Sequence, residues 1–119
     1  MAAGNYDILI EQGATFLFNI TYKNSAGTPI NLTGYTARMQ VRQKYSSPTT
    51  LLSFTSAGGN IVLGGAAGTI AVTGSADATA GVAPCCGVYD LELISPSGIV
   101  TRLVSGVANI TPEVTRAGA

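Results

Sequence analysis

Two stretches of strict alternation decide the fold class. From Ala14 to Tyr22, the large apolar residues Phe16, Phe18, Ile20 and Tyr22 share one parity, while Thr15, Asn19 and Thr21 fall on the other. A period of two belongs to a strand with one buried face, whereas a helix would repeat every 3.6 residues. The pattern returns from Tyr35 to Gln43, with Tyr35, Ala37, Met39 and Val41 inward and Thr36, Arg38, Gln40 and Arg42 outward. Composition agrees: 15 Gly, 14 Thr, 9 Val and 9 Ile stand against two Lys and three Glu, a mix that favours strands and turns.

Shorter strands are predicted from Tyr6 to Ile10, Leu51 to Thr55, Asn60 to Leu63, Thr69 to Thr73, Val88 to Ile94, Ile99 to Val104 and Val107 to Thr111. Gln12-Gly13 reads as a bend where the chain changes partner, and the stretch from Gly64 to Gly68 as a hairpin loop. Ser75 to Ala80 is the one helical turn, capped by Ser75, and it is placed as a crossover between sheets. About eight or nine short strands at this spacing indicate a sandwich or barrel, and the expectation is an all-β, Ig-like antiparallel β-sandwich. A chain of 119 residues fits one domain over 1–119, with loose ends at about 1–5 and 117–119.

The hairpin around Ser95-Pro96-Ser97-Gly98 allows a register prediction. A two-residue loop would set Leu91 opposite Arg102 and mix the core face with the solvent face. A three-residue loop closing with Gly98 in the left-handed region sets Glu92 opposite Arg102 and Leu91 opposite Leu103.

Charge and missing residue types exclude several function classes. Charged residues make up 10% of the chain and six basic groups balance six acidic ones, so no long-range field steers it to nucleic acid or to an anionic membrane. His and Trp are absent, which removes the usual general base and the Ser-His or Cys-His nucleophile pairs. No run reaches the roughly 18 apolar residues of a spanning helix. The first basic residue, Lys23, follows Asp7 and Glu11, so a signal peptide's positive start is missing and a protein made in a cytoplasm is expected. Neutral lone domains tend to stick to one another, and a neutral surface on so small a domain points to assembly, with a homo-oligomer expected.

Candidate sites are few. Cys85 and Cys86 are adjacent, and a bridge between neighbours strains the peptide joining them; they are expected as two partly buried thiols in a loop, with a cross-link between subunits as the alternative. No further sulfur or imidazole is at hand for a metal, and none is expected. Asp90 and Glu92 lie two apart on one strand, about 7 Å, a separation compatible with glycosidase chemistry. A flat strand face offers no cleft to raise either pKa, so with Arg38, Arg42 and Arg102 they are assigned to a mixed charge ladder. Gly64, Gly65 and Gly68 lack the Lys-Ser or Lys-Thr of a phosphate loop. Tyr45, in a polar loop beside Lys44, is the aromatic expected to be free for contact. The interface candidates are therefore Arg38, Arg42, Tyr45, Asp90, Glu92 and Arg102, with no catalytic, cofactor or metal residue.

Several words of the sequence are shared with a known family. Gln12-Gly13-Ala14-Thr15-Phe16, Gly27-Thr28-Pro29-Ile30-Asn31-Leu32-Thr33-Gly34-Tyr35, Arg38-Met39-Gln40-Val41-Arg42, Tyr89-Asp90-Leu91-Glu92-Leu93 and Pro112-Glu113-Val114-Thr115-Arg116 resemble small virion proteins of tailed bacteriophages. The opening third is also similar to the N-terminal Ig-like domain of phage upper-baseplate proteins. The resemblance implies a non-enzymatic structural protein on the outside of a virion, at the tail, baseplate or fibre attachment, whose partners are other virion proteins and which meets a host surface only indirectly. Cys85-Cys86 and the stretch from Gly81 to Pro84 depart from the pattern. The alternatives are a capsid decoration protein and, from another class, a carbohydrate-binding module, which would need an exposed aromatic platform that Tyr45 alone supplies.

Overall fold

The bend at Gly13 organises the N-terminal third. In a computed structural model that describes residues 4–112, Gly13 has φ 80°, a left-handed conformation that other residues rarely adopt. It sends the chain from one sheet to the other. The elements run β1 (Gly4–Asn5), β2 (Ile8–Glu11), β3 (Phe16–Thr21), β4 (Thr36–Arg42), β5 (Leu52–Thr55), β6 (Ile61–Leu63), β7 (Thr69–Gly74), α1 (Ala76–Ala80), β8 (Cys85–Ile94) and β9 (Val100–Thr111).

One sheet has the order β1-β9-β8-β4-β5, with β2 also on β9; the other has β3-β7-β6. The two layers pack as a sandwich. The order opposes β3, β7 and β6 to β9, β8, β4 and β5, which is the B-E-D against G-F-C-C′ plan of Ig-like domains. One departure from the expected antiparallel sheets is that β1 and β2 run parallel to β9. The bend at Gly13 explains it, because β2 stays with the larger sheet and only β3 begins the smaller one. Gly4 and Asn5, expected at a loose end, pair with Val104 and Ser105; positions 117–119 lie outside the described residues.

The alternating residues fill the core as expected. Ala37, Met39 and Val41 of β4, Leu91 and Leu93 of β8, and Ile70 and Val72 of β7 are buried. Phe16 stacks between Phe18 and Phe54, with ring centroids 6.4 and 5.9 Å away. Burying a Val, Leu, Ile, Met or Phe side chain contributes roughly 1.5–3 kcal/mol, and this is what holds the layers together.

Short-range signals also hold. Ser75 Oγ accepts the Ala78 N–H at 3.1 Å and caps α1. This helix does more than cross between sheets. Thr79, fully buried, donates through Oγ1 to the Ala14 carbonyl at 2.8 Å and accepts the Gly13 N–H at 3.1 Å, while Gln12 donates to the Val82 carbonyl. The helix thereby pins the bend that directs β2 and β3 apart.

The last third corrects three expectations. Cys85 and Cys86 are not in a loop: they open β8, opposite Ile110 and Asn109. The two strands expected between Ile99 and Thr111 are one continuous strand, β9. Its loop matches the prediction, with Gly98 at φ 91° and the Ser95 N–H donating to the Ile99 carbonyl. Glu92 faces Arg102, but Leu91 faces Val104 in place of Leu103, because the register slips by one between Leu91 and Glu92. Leu103 is the extra residue of a β-bulge, and the bulge returns Val104 to the core.

The N-terminal segment is fastened across β9. Tyr89, 3% exposed, donates its hydroxyl to the Tyr6 carbonyl, and the Tyr6 ring stacks on Phe18 at 5.7 Å. Gly106 leaves room for this crossing, since a Cβ there would strike the Tyr6 carbonyl group.

Candidate protein-interface site

The outer face of the larger sheet is ordered in rows set by strand register. In the first row Arg38 of β4 faces Glu92 of β8, which faces Arg102 of β9. In the second, Gln40 faces Asp90 and Asp90 faces Ser105; in the third, Arg42 faces Val88 and Val88 faces Val107. Even-numbered residues of β4 and β8 point outward because their odd-numbered neighbours fill the core.

Arg38 Nε lies 2.7 Å from Glu92 Oε1, and Arg102 Nε lies 3.4 Å from Asp90 Oδ2 on the diagonal. Both pairs are partly solvated, which limits each to below about 1 kcal/mol of stability. Asp90 has its pKa raised, first by burial against the sheet and next by the Glu92 charge, and these outweigh the pull of Arg102, Arg38 and Arg42.

Arg42 departs from the picture of a free outward cation. It is half-buried, and its guanidinium donates to the Ser47 carbonyl at 2.8 Å and to Gln40 Oε1 at 2.9 Å. Arg42 therefore shapes the 43–50 connection that presents Tyr45, whose side chain is 82% exposed. Gln40, Arg42, Tyr45, Asp90 and Arg102 border a shallow recess of about 320 Å³ that is open to solvent. All six expected interface residues thus occupy one face, at its charged end.

Sequence reasoning missed the other end of that face. Val88 and Val107 continue outward from the third row, Cys86 is exposed opposite Asn109, and Asn109 faces Leu9, itself 54% exposed. The parity of Val88 and Cys86 with Asp90 and Glu92 was a usable signal for two of them. Leu9 between Ile8 and Ile10 gave no such signal, because all three are apolar.

The face consists of a salt-bridged ladder beside an uncharged apolar strip. Among the described residues there is no cluster of three or more His, Cys, Asp or Glu side chains able to hold a metal, and no helix is long and apolar enough to cross a membrane. The fold and face define an Ig-like β-sandwich with one patterned sheet surface. No family model matches the chain, and no curated protein matches it. Solved structures do resemble it. One, from photo-crosslinking work on multimeric cell-adhesive interactions of VGSC β subunits, is 12% identical with a TM-score of 0.47, over 93% of this chain and 96% of that one. Another, the extracellular domain of the voltage-gated sodium channel β4 subunit seen as parallel homodimers, is 9% identical with a TM-score of 0.42, over 96% and 97%. The fold assignment rests on the strand order itself.

Proposed function

We propose that this chain is a non-enzymatic structural component of a tailed bacteriophage virion, an accessory protein of the tail, baseplate or fibre attachment that works by protein–protein assembly. The observation that carries the assembly reading is the outer face of the larger sheet. Its charges are matched in pairs across β4, β8 and β9, beside exposed Leu9, Val107 and Tyr45. Matched charges with a fixed spacing contribute register and partner choice, and the apolar strip contributes area. The shared sequence words quoted above supply the virion context. The same face argues against hydrolysis, since Asp90 and Glu92 are each held by an arginine on an open sheet.

Two experiments test this. Gold-tagged antibody against the chain should label the tail or its fibres on intact virions; gold spread over the head replaces this reading with capsid decoration, and no gold, with the epitope reachable in free protein, refutes a place on the particle's surface. The Arg42→Glu variant should fold and fail to be incorporated, because it reverses a charge and releases the connection that presents Tyr45. Normal incorporation removes the arginine face from the mechanism. Glycan titration, expected to be negative, disposes of the sugar-binding alternative.

A further inference from the structure

The smaller sheet ends on β3, and no described strand pairs with its outer edge. The direction of its backbone groups follows from the register. The Tyr22 N–H donates to the Gly68 carbonyl at 2.8 Å, and Phe16, Phe18 and Ile20 are in phase with that pair against Gly74, Val72 and Ile70. Bonded and non-bonded pairs alternate along an antiparallel ladder. Leu17, Asn19 and Thr21 therefore turn their N–H and C=O groups away from β7, toward the open edge. That presents three donors and three acceptors in the geometry of an unfilled ladder.

Open edges are normally guarded by charge, proline, a bulge or shortness. This one has none of these guards. β3 is six residues long, against four in β5 and three in β6, its register is unbroken, and its sequence FLFNIT is uncharged. Neither β6 nor β7 contributes a charge to the sheet. Leu17 is 66% exposed on the outer face. On the inner side, a groove lined by Tyr6, Phe18, Ile20 and Leu103 runs along the same edge.

We propose that β3 is a docking edge for β3 of a second copy of this chain, paired antiparallel about a two-fold axis at Asn19. A two-fold axis at Asn19 sets that residue against its own image and every other residue of β3 against another residue of the same strand, so an edge carrying one sign of charge would repel itself, and this sheet is the charge-free one. Centring on Asn19 sets Leu17 opposite Thr21 of the other copy, and the three in-phase pairs form about six hydrogen bonds. The result is a continuous sheet of order β6-β7-β3-β3-β7-β6. The charged face of the larger sheet remains uncovered and is displayed twice. This assignment stands independently of the virion reading, because it concerns the isolated chain.

Sedimentation of the full chain should show a reversible monomer–dimer equilibrium at concentrations up to about 1 mM, the weak end of the affinity scale. The double variant Leu17→Lys, Asn19→Lys changes exposed positions only. It should raise the dimer dissociation constant at least about tenfold and keep the wild-type circular dichroism. Position is read separately, with Cys85→Ser and Cys86→Ser as background. Asn19→Cys should then form a disulfide dimer on mild oxidation, since bonded pairs place Cα atoms about 5.5 Å apart. Val62→Cys on the far strand β6 should not. A chain that stays monomeric throughout, a dimer that survives both lysines, or equal cross-linking at Val62 and Asn19 overturns the assignment.

Discussion

Replacing Tyr89 by Phe tests how the N-terminal segment is held. The ring stays, with its edge-on packing against Phe18 at 6.3 Å, and only the hydroxyl that donates to the Tyr6 carbonyl is lost. At neutral pH this should cost about 1 kcal/mol. For 119 residues the unfolding entropy is about 0.25 kcal/mol per kelvin, so Tm should fall by about 4 °C. Alkaline pH reverses the order. Burial, followed by the charge of Asp7 and the proximity of Tyr6, raises the Tyr89 pKa from 10.0 to about 12. A raised acid contributes its full stability below the unfolded pKa and loses it as pH rises through the folded one. Wild type should therefore lose stability from pH 10 to 12 at about 1.4 kcal/mol per pH unit from this group, a loss that Tyr89→Phe escapes. The two stability curves should cross near about pH 11. Urea unfolding at pH 7 to 12, with circular dichroism as the readout, measures both. Parallel curves would refute the claim that this hydroxyl is held neutral in the core, and a variant as stable as wild type at pH 7 would refute the fastening of Tyr6.

Three further outcomes are expected. Asp90→Asn should gain on wild type as pH rises above about 4, because its folded pKa lies above 3.8 and its ionisation opposes folding. With the carboxylate 37% exposed, the gain should stay below about 1 kcal/mol in urea midpoints; a loss would mean that the Arg102 pair dominates. Gly106→Ala should destabilise by about 1–3 kcal/mol in the same assay, since its methyl would sit 2.8 Å from the Tyr6 carbonyl carbon. Maleimide labelling of native protein should modify exposed Cys86 before half-buried Cys85, and Cys86→Ser should remove the fast phase.

The sandwich was legible because its inward residues keep parity over long stretches. Phe16 to Tyr22 and Tyr35 to Val41 leave no choice of face, and Gly98 fixed the loop that sets Glu92 against Arg102. The bulge was not legible: Leu103 and Val104 are both apolar, so either satisfies the core, and the choice falls to three-dimensional packing. Parity also says nothing about which sheet a strand joins, which is why the parallel pairing of β2 with β9 could not be read from Ile8 and Ile10. The six interface residues share a face because strand parity is local information. Arg42's hold on Ser47 depends on how the 43–50 connection folds back, and the sequence carries no periodic signal for that.

The parallel pairing of β1 and β2 with β9 has a mechanical consequence. Ile8 lies beside Ala108 and Glu11 beside Thr111, so tension applied before β1 and after β9 drags neighbouring strands past each other along their length. The rungs are then loaded together in shear, where an antiparallel pair pulled from adjacent ends would open one rung at a time. A particle that transmits force through this chain would meet its stiffest direction along that seam.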